Sequence, residues 1–155
     1  MADVANYPNM MIDAIEATNS HPNRLMDDNG VLTELGERVI EAGLKTLCLA
    51  AHRQAEKAGW NKNRNSVIEE LALITTEVAE GIEEARDGNP GNRGLYYDSE
   101  TQKPEGLASE VGDVFIRSAH LATNTQLGEI DVVEGTLAKL RFNPTRAYRH
   151  GGRLA

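Results

Sequence analysis

Apolar residues recur at helical spacing along most of the chain. From Val31 to about Lys57, Ile40, Leu44, Leu47, Ala51 and Ala55 fall on one stripe. Gly36 and Gly43 interrupt its first half, so the pattern fits one helix or two. The polar run AGWNKNRN then breaks it. Ser66-Val-Ile-Glu69 has the form of a capping box and opens the next helix, whose apolar stripe is Val67, Leu71, Ile74, Val78, Ile82 and Ala85. Gly88 and Pro90 mark its end. Residues 88–103, GNPGNRGLYYDSETQK, read as a long loop. Pro104 suits the first turn of a third helix, with Leu107, Val111, Val114, Phe115, Leu121 and Ala122 on its apolar face. A last helix is expected from about Glu129 to Phe142, with Ile130, Val133, Leu137 and Leu140 inward, and Asn143-Pro144 ends it. No run alternates in the manner of a strand. The pattern therefore predicts an all-α domain of four to five helices over residues 31–155. Ahead of it, residues 1–30 form an extension with a short helix in 8–18 (PNMMIDAIEAT), a polar stretch containing Pro22, and an Asn29-Gly30 turn signal.

Composition sharpens this picture. With 155 residues, 40% of them hydrophobic but only 5% aromatic, the core must be mostly aliphatic. A formal net charge of −8 argues against a nucleic-acid-coating role, which needs cations against phosphates, but not against binding one nucleotide. The single Cys48, in the apolar stretch LCLAA, excludes an intramolecular disulfide and reads as a buried thiol. No apolar run approaches the ~20 residues of a membrane span, and no secretory signal is visible, so the expectation is a cytoplasmic protein without membrane partners. The glycines of the 88–103 loop do not make a phosphate loop, because no strand precedes them and no GK[ST] follows.

The charged residues carry the candidate chemistry. Side chains three, four and seven apart share a helix face, so Glu77, Glu80 and Glu84 line up, with Glu70 two turns earlier on the same line. Glu110, Asp113 and Arg117 line up likewise on the third helix. With about 100° per residue, each acidic line lies about 100° from the centre of its apolar stripe. A solvated face would more naturally sit opposite the core, although acidic helix faces and E-x-x-E spacings are common without any site. Acids at its edge can instead be brought together when the two helices pack. Two carboxylates about 5 Å apart repel by roughly 3 kcal/mol at an effective dielectric of about 20, so four of them would shift their pKa values or hold a cation. Oxygen-only ligands select hard ions, Mg²⁺ or Mn²⁺. A di-iron bundle would need Glu-x-x-His pairs, and here the residue three after each Glu is acidic.

The ordered set of motifs resembles the MazG-like all-α nucleoside triphosphate pyrophosphohydrolases. That superfamily has E-x-x-E on one helix and E-x-x-D on a later one, here Glu77-Val-Ala-Glu80 and Glu110-Val-Gly-Asp113. The runs ELALITTEVAEGIEEARDG and KPEGLASEVGDVFIRSAHLA are similar to its two metal helices. The GW of AGWNKN, Tyr96-Tyr97 and the ending NPTRAYRHGGR are similar to a phage and bacterial branch. The resemblance covers about residues 35–153. Two positions depart from the pattern: Thr76 stands where many members have a glutamate, a role Glu70 or Glu84 can take, and the terminal HGGK is His150-Gly-Gly-Arg153.

The resemblance implies Mg²⁺-dependent hydrolysis of an NTP or dNTP to the monophosphate and pyrophosphate, in a MazG-like bundle assembled as a homodimer or tetramer. Glu77, Glu80, Glu110 and Asp113 would hold the metal, and Glu80 or Glu84 would act as base. Lys139, Asn143, Arg146 and Arg153 would reach the triphosphate, although basic residues near the end of an acidic chain also pair with acidic helices. Arg117 is either a phosphate ligand or a salt-bridge partner that orients Asp113. Trp60, the lone tryptophan, is either a core anchor or a wall that stacks on the base. His52 reads as a packed or surface residue, and Tyr96 and Tyr97 as loop residues that cover the site or pack beside it. The rival reading is a non-catalytic nucleotide or alarmone sensor, or a partner-binding module; the intact acid set speaks for catalysis.

Overall fold

The computed structural model describes residues 24–62, 66–86, 94–124 and 130–146. It is mostly helical. Four α-helices are described: α1 (Glu34–Ala58), α2 (Val67–Arg86), α3 (Leu107–Thr123) and α4 (Val132–Phe142). Short 3₁₀ turns cover Trp60–Lys62 and Asn143–Thr145. The only strands among the described residues are β1 (Tyr96–Tyr97) and β2 (Pro104–Glu105), an antiparallel ribbon pairing Tyr96 with Glu105 and Tyr97 with Pro104. The chain divides into two compact units, Thr46–Val132 and the residues on either side of it. The short helix expected within residues 8–18 and the Gly88-Pro90 stop lie outside the described residues.

In the unit formed by the flanking residues, the Asn29-Gly30 signal is a turn. The Gly30 amide donates to the Asp27 carbonyl at 3.0 Å, and Asp27 Oδ1 accepts from the amides of Asn29 and Val31. Thr33 caps α1: its Oγ1 accepts the Gly36 amide at 3.1 Å. α1 is one unbroken helix, so Gly36 is not a break. It is a close approach, because a Cβ there would lie 2.0 Å from the Leu25 carbonyl oxygen. Leu137 of α4 is buried. Arg141 grips Glu37 with a two-pronged bridge, Nε and Nη2 each 2.9 Å from a carboxylate oxygen, and its Nη1 reaches Glu134 at 2.9 Å. This basic residue near the chain's end therefore pairs with acids on helices.

In the unit Thr46–Val132, Cys48, Ala51 and Ala55 form the buried edge of α1, as their spacing predicts. Burial raises the Cys48 thiol pKa, with a further push from Asp131. The capping box of α2 forms as the sequence predicts. The Ser66 amide donates to Glu69 Oε2 at 2.5 Å and the Glu69 amide to Ser66 Oγ at 3.3 Å. Two expectations on boundaries are corrected. Pro104 lies in β2, and α3 begins at Leu107, because the ribbon takes up the residues before it. The last helix begins at Val132, leaving Ile130 ahead of it, its carbonyl accepting the Val132 amide.

The larger correction concerns α2 and α3. The residues that α2 buries are Glu70, Glu77 and Gly81, and α3 buries Glu110, Ala119 and Leu121. α2 and α3 pack along each other, and Gly81 faces Leu107 and Glu110 of α3. The apolar stripe expected to face inward on α2 is instead half exposed at Leu71, Val78 and Ile82, and so are Val111 and Phe115 of α3. The buried line of α2 is rotated by about 80° from the centre of its apolar stripe.

Candidate functional site

The packing of α2 against α3 brings the two acid motifs together. One oxygen each of Glu77, Glu80 and Glu110 lie within 4.8 Å of one another. Glu77 and Glu110 are buried, each about one-twentieth exposed, and Glu80 is exposed. Asp113, one turn beyond Glu110, lies with them in a cleft of about 260 Å³ lined also by Trp60, Lys103, Ile116 and Arg117. Two of the four acids thus sit on the walls of a cleft while nearly removed from water, the costly arrangement that the edge position of the motifs allows.

The charges respond as expected of crowded acids. The Glu110 carboxyl is pushed up, first by burial and then by Glu80, Asp113 and Glu77. Asp113 is pushed up by burial and by Glu77, partly offset by Arg117 and Lys103. Glu77 has a cation of its own, since Arg117 Nε donates to its Oε1. Arg117 therefore pairs with Glu77, where the sequence offered a phosphate ligand or a partner for Asp113. Glu110 makes no ion pair within 4 Å among the described residues, and only 5% of its surface remains exposed. A nearly buried glutamate on the cleft wall, with two more carboxylates close by, is chemically suited to a hard divalent cation.

The structure sorts the other expected site residues. Trp60 lines the cleft and is more than half exposed, so it is a wall and not a core anchor. Glu80 lines the cleft and Glu84 does not. Glu84 has one carboxylate oxygen buried without a partner among the described residues. Glu70 is buried beside His120, its Oε2 3.7 Å from Nδ1, and does not line the cleft. Lys139, Asn143 and Arg146 belong to the other unit. There Lys139 is exposed on α4, and the Asn143 carbonyl accepts the Arg146 amide at 3.1 Å. The Arg146 guanidinium lies 5.9 Å from the centre of the Phe142 ring. Arg153 lies outside the described residues. His52 is partly exposed, with Nε2 3.5 Å from Glu56. Tyr96 and Tyr97 are exposed on β1.

Sequence reasoning missed Lys103. Its ammonium bridges to Glu105 at 2.9 Å, and that bond, with the charges of Glu110 and Glu80, raises its pKa. Nothing in the loop sequence distinguishes this lysine. The ribbon places it: Asp98 gathers the turn by accepting from the amides of Glu100 and Thr101, and its own amide donates to the Lys103 carbonyl at 2.9 Å. His120 was also missed, although it stands three after Arg117 on the same helical line.

The chain matches no family model, no curated protein and no solved structure. No described helix is long and apolar enough to cross a membrane.

Proposed function

We propose that the cleft binds a nucleoside triphosphate, NTP or dNTP, together with Mg²⁺ or Mn²⁺, and hydrolyses it to the nucleoside monophosphate and pyrophosphate. The observation that supports this reading most is the convergence of Glu77, Glu80 and Glu110 in one cleft, two of them nearly buried. An all-oxygen donor set suits a hard cation, and Glu77, Glu80, Glu110 and Asp113 would hold it. When bound, the ion would supply charge neutralisation at the phosphate oxygens and would make water more acidic.

The remaining work falls to the chain's own residues. Glu80 is exposed on the cleft wall, where a carboxylate can take a proton from water. The water oxygen bonds to the α-phosphorus, the bond from that phosphorus to the bridging oxygen breaks, and pyrophosphate leaves with the bridging oxygen. Lys103 and Arg117 are the cations on the same walls and oppose the charge of the phosphates. Trp60 offers an indole face for the base. By resemblance, Lys139, Asn143, Arg146 and Arg153 are the further candidates for phosphate binding. The half-exposed stripes Leu71, Val78, Ile82 and Val111, Phe115 favour assembly as a homo-oligomer. The pool of free nucleotides in the cytoplasm is the expected setting.

The direct test is incubation with a panel of NTPs and dNTPs plus Mg²⁺, with separation of the products. Nucleoside monophosphate and pyrophosphate are expected. Orthophosphate as the first product would exclude attack at the α-phosphorus. Measurable nucleotide binding without turnover of any nucleotide would replace the enzyme by a sensor.

A further inference from the structure

Glu70 and His120 are a buried titratable pair that the proposed chemistry leaves unused. Glu70 is 4% exposed and lies on α2 two turns before Glu77. The His120 side chain, on α3 two turns after Asp113, is 12% exposed. Its Nδ1 lies 3.7 Å from Glu70 Oε2, and its Nε2 lies 2.7 Å from Asn61 Oδ1. A carboxamide oxygen carries no proton, so with Oδ1 as partner Nε2 is the donor. Glu70 faces the other ring nitrogen from α2, so the imidazole is bracketed between that helix and Asn61.

Asn61 is the middle residue of the 3₁₀ turn Trp60–Lys62, and its neighbour Trp60 lines the acid cleft. The turn has little to anchor it by burial. None of its residues is buried, and Trp60 is 59% exposed. It follows Gly59, whose φ of 79° reverses the chain after α1. Two backbone bonds close it, 3.1 Å from the Gly59 amide to the Glu56 carbonyl and 3.2 Å from the Lys62 amide to the Gly59 carbonyl, at the upper end of the ordinary range. A shorter bond comes from α3, the helix that also carries Glu110 and Asp113. The wall and the floor of the cleft are thereby joined through one imidazole.

We propose that His120, oriented by Glu70, is a positioning residue that holds the Trp60 turn against α3 and fixes the indole as the stacking wall for the nucleotide base. The stacking half of this proposal rests on the nucleotide reading; the holding of the turn does not.

Trp60 is the only tryptophan, so its fluorescence reports on the turn alone. The experiment compares full-length wild type, His120→Ala and His120→Gln. It follows the nanosecond anisotropy decay of the indole, and kcat and KM for the best nucleotide. His120→Ala should enlarge the fast component of the decay and raise KM about tenfold, with kcat held within about twofold and Mn²⁺ affinity unchanged, the pattern of lost substrate positioning. His120→Gln keeps an N–H donor and should restore both readouts in large part. A folded His120→Ala protein with wild-type indole mobility overturns the proposal. If circular dichroism shows that His120→Ala does not fold, Asn61→Ala breaks the same bond from the turn's side, and unchanged indole mobility there overturns it equally. If wild type turns over no nucleotide, the functional reading fails, and the anisotropy comparison still decides whether His120 holds the turn. Faster indole motion with unchanged KM removes the base-stacking role.

Discussion

Glu110 is the residue at which the cleft is most exposed to test. It is nearly buried on the cleft wall and is crowded by three other acids, Glu80, Asp113 and Glu77. Glu110→Gln removes the charge and keeps the shape. Without metal the variant should melt at a higher temperature than wild type; with Mg²⁺ it should lose turnover by more than about 100-fold, beyond what loss of an indirect support costs. A wild-type rate in Glu110→Gln would remove it from the metal set. The pH dependence follows from the same crowding. Glu110 and Asp113 both have folded pKa values above their ordinary ones. The folded state therefore binds their protons more readily than the unfolded state. The stability they contribute is complete below ordinary carboxyl values, about 4, and is lost as pH rises through the raised folded values. Glu37, Glu69, Asp27 and Asp98 are shifted downward and act oppositely, below ordinary carboxyl values. Thermal unfolding in EDTA from about pH 5 to about pH 7 should thus show declining stability. The double variant Glu110→Gln/Asp113→Asn should flatten that slope, and Mg²⁺ should oppose it. Lys103 yields a sign that the other cations do not. Lys103→Ala removes a positive charge from beside the acids, so Mn²⁺ should bind more tightly by calorimetry while KM for the nucleotide rises. Loosened Mn²⁺ binding would return Lys103 to a purely structural pairing with Glu105.

The elements show where local sequence and packing agree and where they part. The capping box at Ser66 is legible because its two hydrogen bonds lie within four residues, and both form. Ser66→Ala should cost about 1 kcal/mol of stability in chemical denaturation. The two glycines of α1 look alike in sequence and behave differently. Alanine is the better helix former by about 1 kcal/mol. At Gly43 a Cβ meets nothing within 4 Å, so Gly43→Ala should stabilise by up to about that amount. At Gly36 a Cβ would lie 2.0 Å from the Leu25 carbonyl oxygen, so Gly36→Ala should destabilise by about 1–3 kcal/mol as the chain is forced apart. Equal and favourable effects at both positions would mean that Leu25 does not run against α1. The ribbon β1–β2 had no signal in the sequence, because two residues per strand are too few to show alternation.

At the scale of the whole molecule, the uncovered apolar surface is the dominant fact. The buried apolar residues among those described are mostly small, among them Ala51, Ala55 and Ala119, while Ile68, Leu71, Val78 and Ile82 lie exposed along one side of α2. Sedimentation should find an assembly larger than 16.9 kDa. Val78→Asp or Phe115→Asp should shift it toward the monomer, because a charge in an apolar contact has no partner. A wild-type monomer at all concentrations would refute the proposed homo-oligomer.

Much of this was legible in the sequence by itself. Helical periodicity located α1, α2, α3 and α4, since burial of one face demands apolar residues three and four apart. The spacing of Glu77, Glu80, Glu110 and Asp113 placed each pair on one helix face at the core's edge. Periodicity names a face but not what covers it. Only the tertiary structure decided that α2 turns its acid line, and not its apolar stripe, toward α3. That rotation buries Glu77 and Glu110, hands Arg117 to Glu77, and leaves Leu71, Val78 and Ile82 open. Lys103 and His120 were beyond the sequence for the same reason. Their partners, Glu105 across a lysine–proline step and Asn61 fifty-nine residues away, are chosen by how the chain folds back.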